Sequence, residues 1–331
     1  MEYSRDPLVS IGVPVYNGAT GIARALDSLL HQDYRNIEIV ISDNGSTDST
    51  SEICQRYARL DARVKYVRSN TNHGASWNFN KALELSSGEY FMWAAHDDVR
   101  EPGFVGACVA RLEREPDAVL CQARTEMFIE GRPELLCTAH LDSFEDATDV
   151  ASRYRETLER FPATAFYGVY RTAAVRKTKV FQQAIATDVA FIQELSIYGR
   201  FVQVPEVLFH YFGRAKWNTV DQDYRAIFGA ATKPWWYVPF IVLFWSHWTR
   251  VADSSIPMRT KIRLLGLLLE HEFRQVMLKA VIKAGRLAPK AWREPLGCRI
   301  YWRWMHCPNL EVGSRELFFE RVIKPRIGWW L

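Results

Sequence analysis

The sequence predicts an α/β fold: a mostly parallel sheet with helices on both faces, followed by a mainly helical, amphipathic C-terminal region. Three observations lead there. Short β-branched runs alternate with segments of helical period. Three of the strand-like runs break off into polar clusters, as strands do where they feed a ligand crevice at the carboxyl edge of such a sheet. The composition also changes sharply near residue 224. Residues 1–224 carry 24 Lys+Arg against 31 Asp+Glu, whereas 225–331 carry 18 against 7 and hold nine of the twelve tryptophans after Trp217.

"LVSIGVPVYN" alternates Val9, Ile11 and Val13 and reads as a strand ending at Pro14. Ile22, Leu26, Leu29 and Leu30 recur at helical spacing. "IEIVIS" is a buried strand that breaks into the turn and cap residues "DNGSTDST". Asp48 or Ser49 caps the next helix, whose stripe is Ile53, Tyr57 and Leu60. "VKYVRS" is a third strand, Trp77 to Leu85 a helix, and "EYFMWAA" a fourth strand ending at Asp97 and Asp98. Pro102 opens a helix with Phe104, Cys108 and Leu112 on one side. Tyr16–Asn17, Asp43–Asn44 and Asp97–Asp98 thus fall at strand exits and could share one crevice.

Composition narrows the class further. A hydrophobic fraction of 48% and a charged fraction of 24% belong to a folded globular protein. Six scattered cysteines without CxxC pairs fit free thiols in a reducing compartment. No basic segment followed by an apolar core opens the sequence, so no secretory signal is expected. No G-x-G-x-x-G follows the first strand and no Walker A sequence occurs, which argues against dinucleotide and P-loop chemistry.

Five stretches, "VSIGVPVYNG", "IEIVISDNGSTDST", "SNTNHGASWNFNKAL", "SGEYFMWAAHDD" and "ATDVAFIQELSIYG", resemble in order the family 2 glycosyltransferases of the GT-A (Rossmann-like) fold. The likeness spans 8–215. It implies an inverting, nucleotide-sugar-dependent enzyme with a GT-A catalytic domain at 1–224, nucleotide-binding in 1–100 and acceptor-binding in 101–224. It also implies a nucleotide site of Pro14, Tyr16, Asn17, Asp43, Asn72 and Asp97. There Asp43 accepts from the imide N–H of uracil or thymine, as an acceptor-only carboxylate can, and Tyr16 lies beside the base. Read locally, Asp43 is equally an Asx turn.

Adjacent carboxylates repel, and solvent, a basic side chain or a cation must compensate. By the resemblance, Asp97 and Asp98 hold Mn²⁺ or Mg²⁺ on the donor diphosphate. An opposite charge about 4 Å away contributes roughly 4 kcal/mol at an effective dielectric of about 20. The family pattern is Asp-x-Asp-Asp; Ala95 stands at its first aspartate, and His96 is a substitute ligand or, on local reading, a strand-end residue with its ring in the cleft or packed away. Asp188 matches the family's general base, with Thr187 in place of a glutamate; on local reading it is an N-cap. Tyr167 and Arg171 are acceptor-side candidates, Arg214 a diphosphate partner, and His210 a satisfied strand histidine.

The tail, 225–331, lies beyond the resemblance. "KPWWYVPFIVLFWSHWTR" is too short an apolar run to span a bilayer and contains Pro239. After it Ile262, Leu265, Leu269, Phe273, Val276 and Met277 share one side among many basic residues. Such a segment suits peripheral contact with the inner face of the cell membrane; a packed helical domain or a homo-oligomer interface are the alternatives. No nucleic-acid motif accompanies the positive charge. "RIYWRW" lacks the glutamine of the processive-synthase signature, so polymer synthesis is not expected. The function implied is sugar transfer from UDP- or dTDP-sugar to a hydroxyl of a glycan or lipid-linked glycan in cell-surface polysaccharide assembly, in the cytoplasm. The rival is a catalytically silent sugar-nucleotide or membrane-binding module.

Overall fold

The computed structural model describes residues 6–129, 134–160, 163–213, 219–229, 232–285 and 310–312. It begins with β1 (Val9–Val15), α1 (Ile22–Leu30), β2 (Ile37–Asp43), α2 (Thr50–Leu60), β3 (Val64–Arg68), α3 (Ala75–Glu84) and β4 (Tyr90–Trp93). Next come β5 (Val99–Arg100), α4 (Phe104–Arg114), β6 (Ala118–Ile129), β7 (Cys137–Ala139), α5 (Asp142–Glu145) and α6 (Val150–Glu159). A 3₁₀ turn, Ala163–Tyr167, precedes β8 (Val169–Arg171), α7 (Thr172–Val175), α8 (Thr187–Tyr198) and β9 (Arg200–Gly213). Three helices follow, α9 (Val220–Phe228), α10 (Pro239–Ala252) and α11 (Met258–Gly285), with β10 (Leu310–Val312) after them.

One sheet runs β10-β7-β6-β8-β4-β1-β2-β3, with β9 beside β6 and β5 beside β9. β4, β1, β2 and β3 are parallel, so their carboxyl ends share one edge. β8 is antiparallel to both β4 and β6, which makes the whole sheet mixed. β1 and β2 are buried throughout: Val9, Ile11, Val13, Val15, Ile37, Ile39 and Ile41 fill a core on one face, while Ser10, Gly12, Glu38, Val40 and Ser42 take the other. Pro14 sits inside β1, opposite Ser42, one residue before the strand ends.

The period of two sorts side chains between layers. Tyr90 and Met92 of β4 face a core built with α1, α2 and α4. Phe91 and Trp93 face a second core with α3 and α8, where Trp93 stacks on Phe166 at 5.0 Å. Phe104, Cys108 and Leu112 are buried as expected. In α2 Thr50 and Cys54 are buried, Ile53 and Tyr57 are half-buried against the same core, and Leu60 is exposed. Asp48 performs the expected cap through Thr50 N (3.1 Å), whereas the Ser49 side chain makes no cap bond. Cys54, Cys108 and Cys121 are buried free thiols.

Residue 224 falls inside α9, so the compositional break is not a structural boundary. A third core joins Val251, Leu264 and Leu268 of α10 and α11 to Ala151, Tyr154 and Ile197 of the α/β body. Arg250, 1% exposed, forms a buried ion pair with Glu194 of α8. Among the described residues no helix is long and apolar enough to cross a membrane.

Candidate functional site

The site lies along the carboxyl edge of β4, β1 and β2. After β1 the chain turns at Asn17, whose φ of +52° an asparagine tolerates. This loop is tied to the one after β2: Asn17 N donates to Ser46 Oγ (3.0 Å), Thr47 N to Asn17 Oδ1 (2.8 Å) and Gly18 N to Thr50 Oγ1 (2.9 Å). Tyr16 stays exposed beside it. Asp43 ends β2 almost fully buried. Its Oδ1 accepts from Ser46 N (2.8 Å) and its Oδ2 from the Tyr66 hydroxyl (2.6 Å), with Arg68 Nε at 3.5 Å. Both the Asx turn and the acidic strand end expected from the sequence are therefore present in one side chain. Asn72 serves the next loop: its Oδ1 accepts from Asn44 Nδ2 and Gly74 N, each at 2.8 Å.

The segment after β4 packs tightly on the first loop. A Cβ on Gly18 would meet His96 Cδ2 at 2.6 Å, and one on Gly21 would meet His96 O at 2.8 Å. That closeness explains the two glycines and sets the Asp97 backbone against Gly21, whose added Cβ would lie 3.1 Å from Asp97 Cα. The imidazole of His96 is packed against this loop. Arg24 Nη2 donates to Asp97 O (2.7 Å) while its guanidinium lies 4.5 Å from the Phe212 ring.

Asp97 and Asp98 are not equivalent. The Asp97 side chain is half-exposed; Asp98 is 1% exposed, and Phe212 N donates to its Oδ1 at 3.0 Å. Asp98 Oδ2 is buried without a hydrogen-bond partner. Burial first, and the neighbouring Asp97 charge, push the Asp98 carboxyl up to about 7 against the Phe212 amide and Arg100. Arg100, itself buried, donates to Trp93 O (3.1 Å) and Tyr167 O (3.3 Å), and burial lowers its guanidinium to about 10.

An orphaned carboxylate oxygen next to a half-exposed carboxylate suits a divalent cation that takes its remaining ligands from phosphate. Among the described residues no group of three or more His, Cys, Asp or Glu could hold a metal by itself.

Asp188 stands at the first turn of α8, where the helix dipole favours negative charge. Burial nevertheless raises its carboxyl, opposed by the Val189 amide. The preceding Ala186 holds a left-handed φ of +58°, a conformation that costs a non-glycine residue about 1–3 kcal/mol. Tyr167 joins the parts. After burial and Tyr211, the charges of Asp98, Asp188 and Asp97 raise its phenol far above the usual range, so all three carboxylates lie within electrostatic reach of its hydroxyl.

Arg171 does not belong here. It pairs with Tyr90 across β8 and β4, donating to Ala118 O (2.8 Å) and Tyr90 Oη (2.9 Å). Because β8 is antiparallel to β4, Tyr167 before β8 lies at the site edge and Arg171 at the opposite edge, where it braces the sheet. His210 bonds Glu101 (2.8 Å) and Glu126 (3.3 Å), as expected of a satisfied strand histidine. Arg214 lies outside the described residues. Sequence reasoning missed Tyr66 and Arg68 on Asp43, Arg24 on the Asp97 backbone, and Arg100 beside Asp98. Arg100, two residues past the acidic pair, was the one with a visible signal.

Comparison with known proteins agrees with this geometry. The model of glycosyl transferase family 2 matches residues 10–183. A relative in Rickettsia typhi, named an uncharacterized glycosyltransferase, is 42% identical over 97 residues, 29% of either chain. Four of the relatives are matched over only 29%, 36%, 14% and 65% of their own length. The Staphylococcus aureus TarS fragment solved with UDP-GlcNAc has a TM-score of 0.58 at 19% identity, covering 81% of this chain and 72% of its own. The Pyrobaculum calidifontis mannosyltransferase PcManGT, solved with GDP-Man and Mn²⁺, has a TM-score of 0.58 at 17% identity, covering 99% and 86%. These structural likenesses establish the GT-A fold.

Proposed function

The chain belongs to glycosyl transferase family 2, and from that premise we propose that it moves a sugar from a nucleotide donor to an acceptor hydroxyl with inversion. The observation that carries this reading is that Asp43 and the Asp97–Asp98 pair end parallel strands at one edge, with Asp97, Asp98 and Asp188 all within electrostatic reach of Tyr167. Asp43, fixed by Ser46 and Tyr66, offers its free lone pairs to the imide N–H of a pyrimidine base. Tyr16 covers the base, and Pro14, Asn17 and Asn72 hold the loops that shape the pocket. Asp97 and Asp98 would hold Mn²⁺ or Mg²⁺, which neutralises charge on a departing diphosphate. Asp188 takes the acceptor proton, and its raised proton affinity favours that transfer. Arg214 is kept as a diphosphate partner by its sequence position alone. TarS with UDP-GlcNAc and PcManGT with GDP-Man and Mn²⁺ support a nucleotide-sugar donor and a divalent ion.

UDP or dTDP is the donor class we favour, since Asp43 suits a base with an imide donor. The acceptor is a glycan or lipid-linked glycan of the cell surface, met at the inner membrane face by 225–331. Ala95 and Thr187, where the family carries acidic residues, favour as second reading a silent binding module. Thermal shift with UDP-, dTDP- and GDP-sugars, with and without Mn²⁺, followed by assay of sugar release, separates the two. A catalyst hydrolyses or transfers a stabilising donor; a silent module is stabilised and releases nothing.

A further inference from the structure

The C-terminal helices leave their most apolar side chains uncovered. Trp235 is 91% exposed and Trp236 62%, on the turn that enters α10. Val238, Ile241 and Trp245 continue this surface at helical spacing, while Ser246, His247, Arg250 and Val251 on the opposite side are buried. In α11, Leu264 and Leu268 pack inward. Met258, Ile262, Leu269, Phe273, Val276 and Met277 face outward and are exposed, flanked by the exposed Arg259, Arg263 and Arg274. A folded monomer rarely exposes so much apolar surface without a use for it.

We propose that the Trp235–Trp236 turn and the outward stripe of α11 form a docking surface for an anionic phospholipid bilayer, placed so that a lipid-borne acceptor arrives beside Asp188. Two features select lipid over another protein surface. Tryptophan belongs at headgroup depth, with its ring among acyl chains and its N–H in the wet layer. Within 232–285, 8 Lys+Arg stand against 3 Asp+Glu; Arg263 and Arg274 also pair with Asp149 and Glu159, and the remaining excess complements acidic headgroups. Arginines beside an apolar stripe are the pattern of a helix lying in an interface. With 14 residues in α10 and several charges along α11, neither helix can span.

The link to the site runs through hydrogen bonds. Tyr237, next to Trp236, is buried, and its hydroxyl accepts from Ile185 N at 3.0 Å. Ile185 lies three residues before Asp188. Ser246 of α10 also donates to Gln182 Oε1 (3.1 Å), and Arg250 to Val180 O (2.6 Å). The loop that delivers Asp188 is therefore held by the same helix that carries the exposed tryptophan turn. Only this placement of the acceptor rests on the proposed transfer reaction; the docking surface stands without it.

The test uses the full chain with phosphatidylcholine vesicles and with phosphatidylglycerol-rich vesicles, read by co-sedimentation and by quenching of tryptophan emission with brominated lipid. Binding to the acidic vesicles only, weakened by salt, is expected. Trp235→Ala combined with Trp236→Ala, and separately Ile262→Ser combined with Phe273→Ser, should each lower partitioning by about tenfold or more. All these side chains are exposed, so UDP affinity measured by titration serves as the control for folding and should not change. Wild-type protein left in the supernatant, equal partitioning of the variants, or a lipid-free oligomer that already shields Trp235 from a soluble quencher would each overturn the proposal. Vesicle binding without any affinity for UDP would instead sink the transferase reading and leave the surface in place.

Discussion

Replacing Asp98 by asparagine removes a buried negative charge whose cost the structure lets us work out. The carboxyl is 1% exposed, one oxygen has no hydrogen-bond partner, and burial lifts it from 3.8 to about 7. The folded protein thus holds this proton more tightly than the unfolded chain. Its contribution to stability is fully present below about pH 4 and is lost as pH rises to about 7. At 1.36 kcal/mol per pKa unit the loss amounts to about 4 kcal/mol. With about 2–4 °C of Tm per kcal/mol for a domain of comparable size, this is on the order of 10 °C. Melting curves in metal-free buffer from pH 4.5 to about 8 should show wild type losing that much relative to Asp98→Asn. Addition of Mn²⁺ with UDP at the upper pH should recover stability in wild type and not in the variant. Parallel pH profiles for the two proteins would refute the reasoning, since they would mean that Asp98 is ionised at little cost.

Three further expectations follow from the same geometry. Arg250→Met leaves Glu194 buried without its cation and should destabilise by about 3–5 kcal/mol in denaturant titration, much of it regained when Glu194→Leu is added. Asp188→Asn should lower sugar transfer by about 10²- to 10⁴-fold with nucleotide affinity unchanged, as read by steady-state kinetics and calorimetry. Gly18→Ala drives a methyl group into His96, 2.6 Å from its Cδ2, and should weaken metal-dependent UDP binding by shifting the Asp97 segment.

The sheet's nucleotide side was readable because each strand there is a short apolar run broken by a polar cluster, and β1, β2 and β4 are parallel with those breaks on one edge. Asp43, Asp97 and Asp98 could be placed at one crevice by that rule alone. The rule fails where the sheet turns antiparallel. Nothing local in "FYGVYR" reveals that β8 runs opposite to β4, so Tyr167 and Arg171 looked equally near the site although they lie at opposite edges. Charge inequality within the acidic pair was also hidden. It arises from Phe212, more than a hundred residues downstream, whose amide claims Asp98 and buries it. The apolar side predicted for α11 was correct in pattern, but periodicity does not tell an inward stripe from an outward one. Here Ile262, Leu269 and Phe273 are exposed, and the inward contacts come from Leu264 and Leu268.

Calorimetric titration of UDP into wild type and Asp97→Ala, each with and without Mn²⁺, tests the heart of the account. Asp97 is half-exposed at the site edge, so the variant should fold normally and keep the affinity that Asp43 and Tyr16 provide. The account predicts that manganese tightens UDP binding to wild type and does nothing for the variant. An equal gain from manganese in both proteins would contradict it.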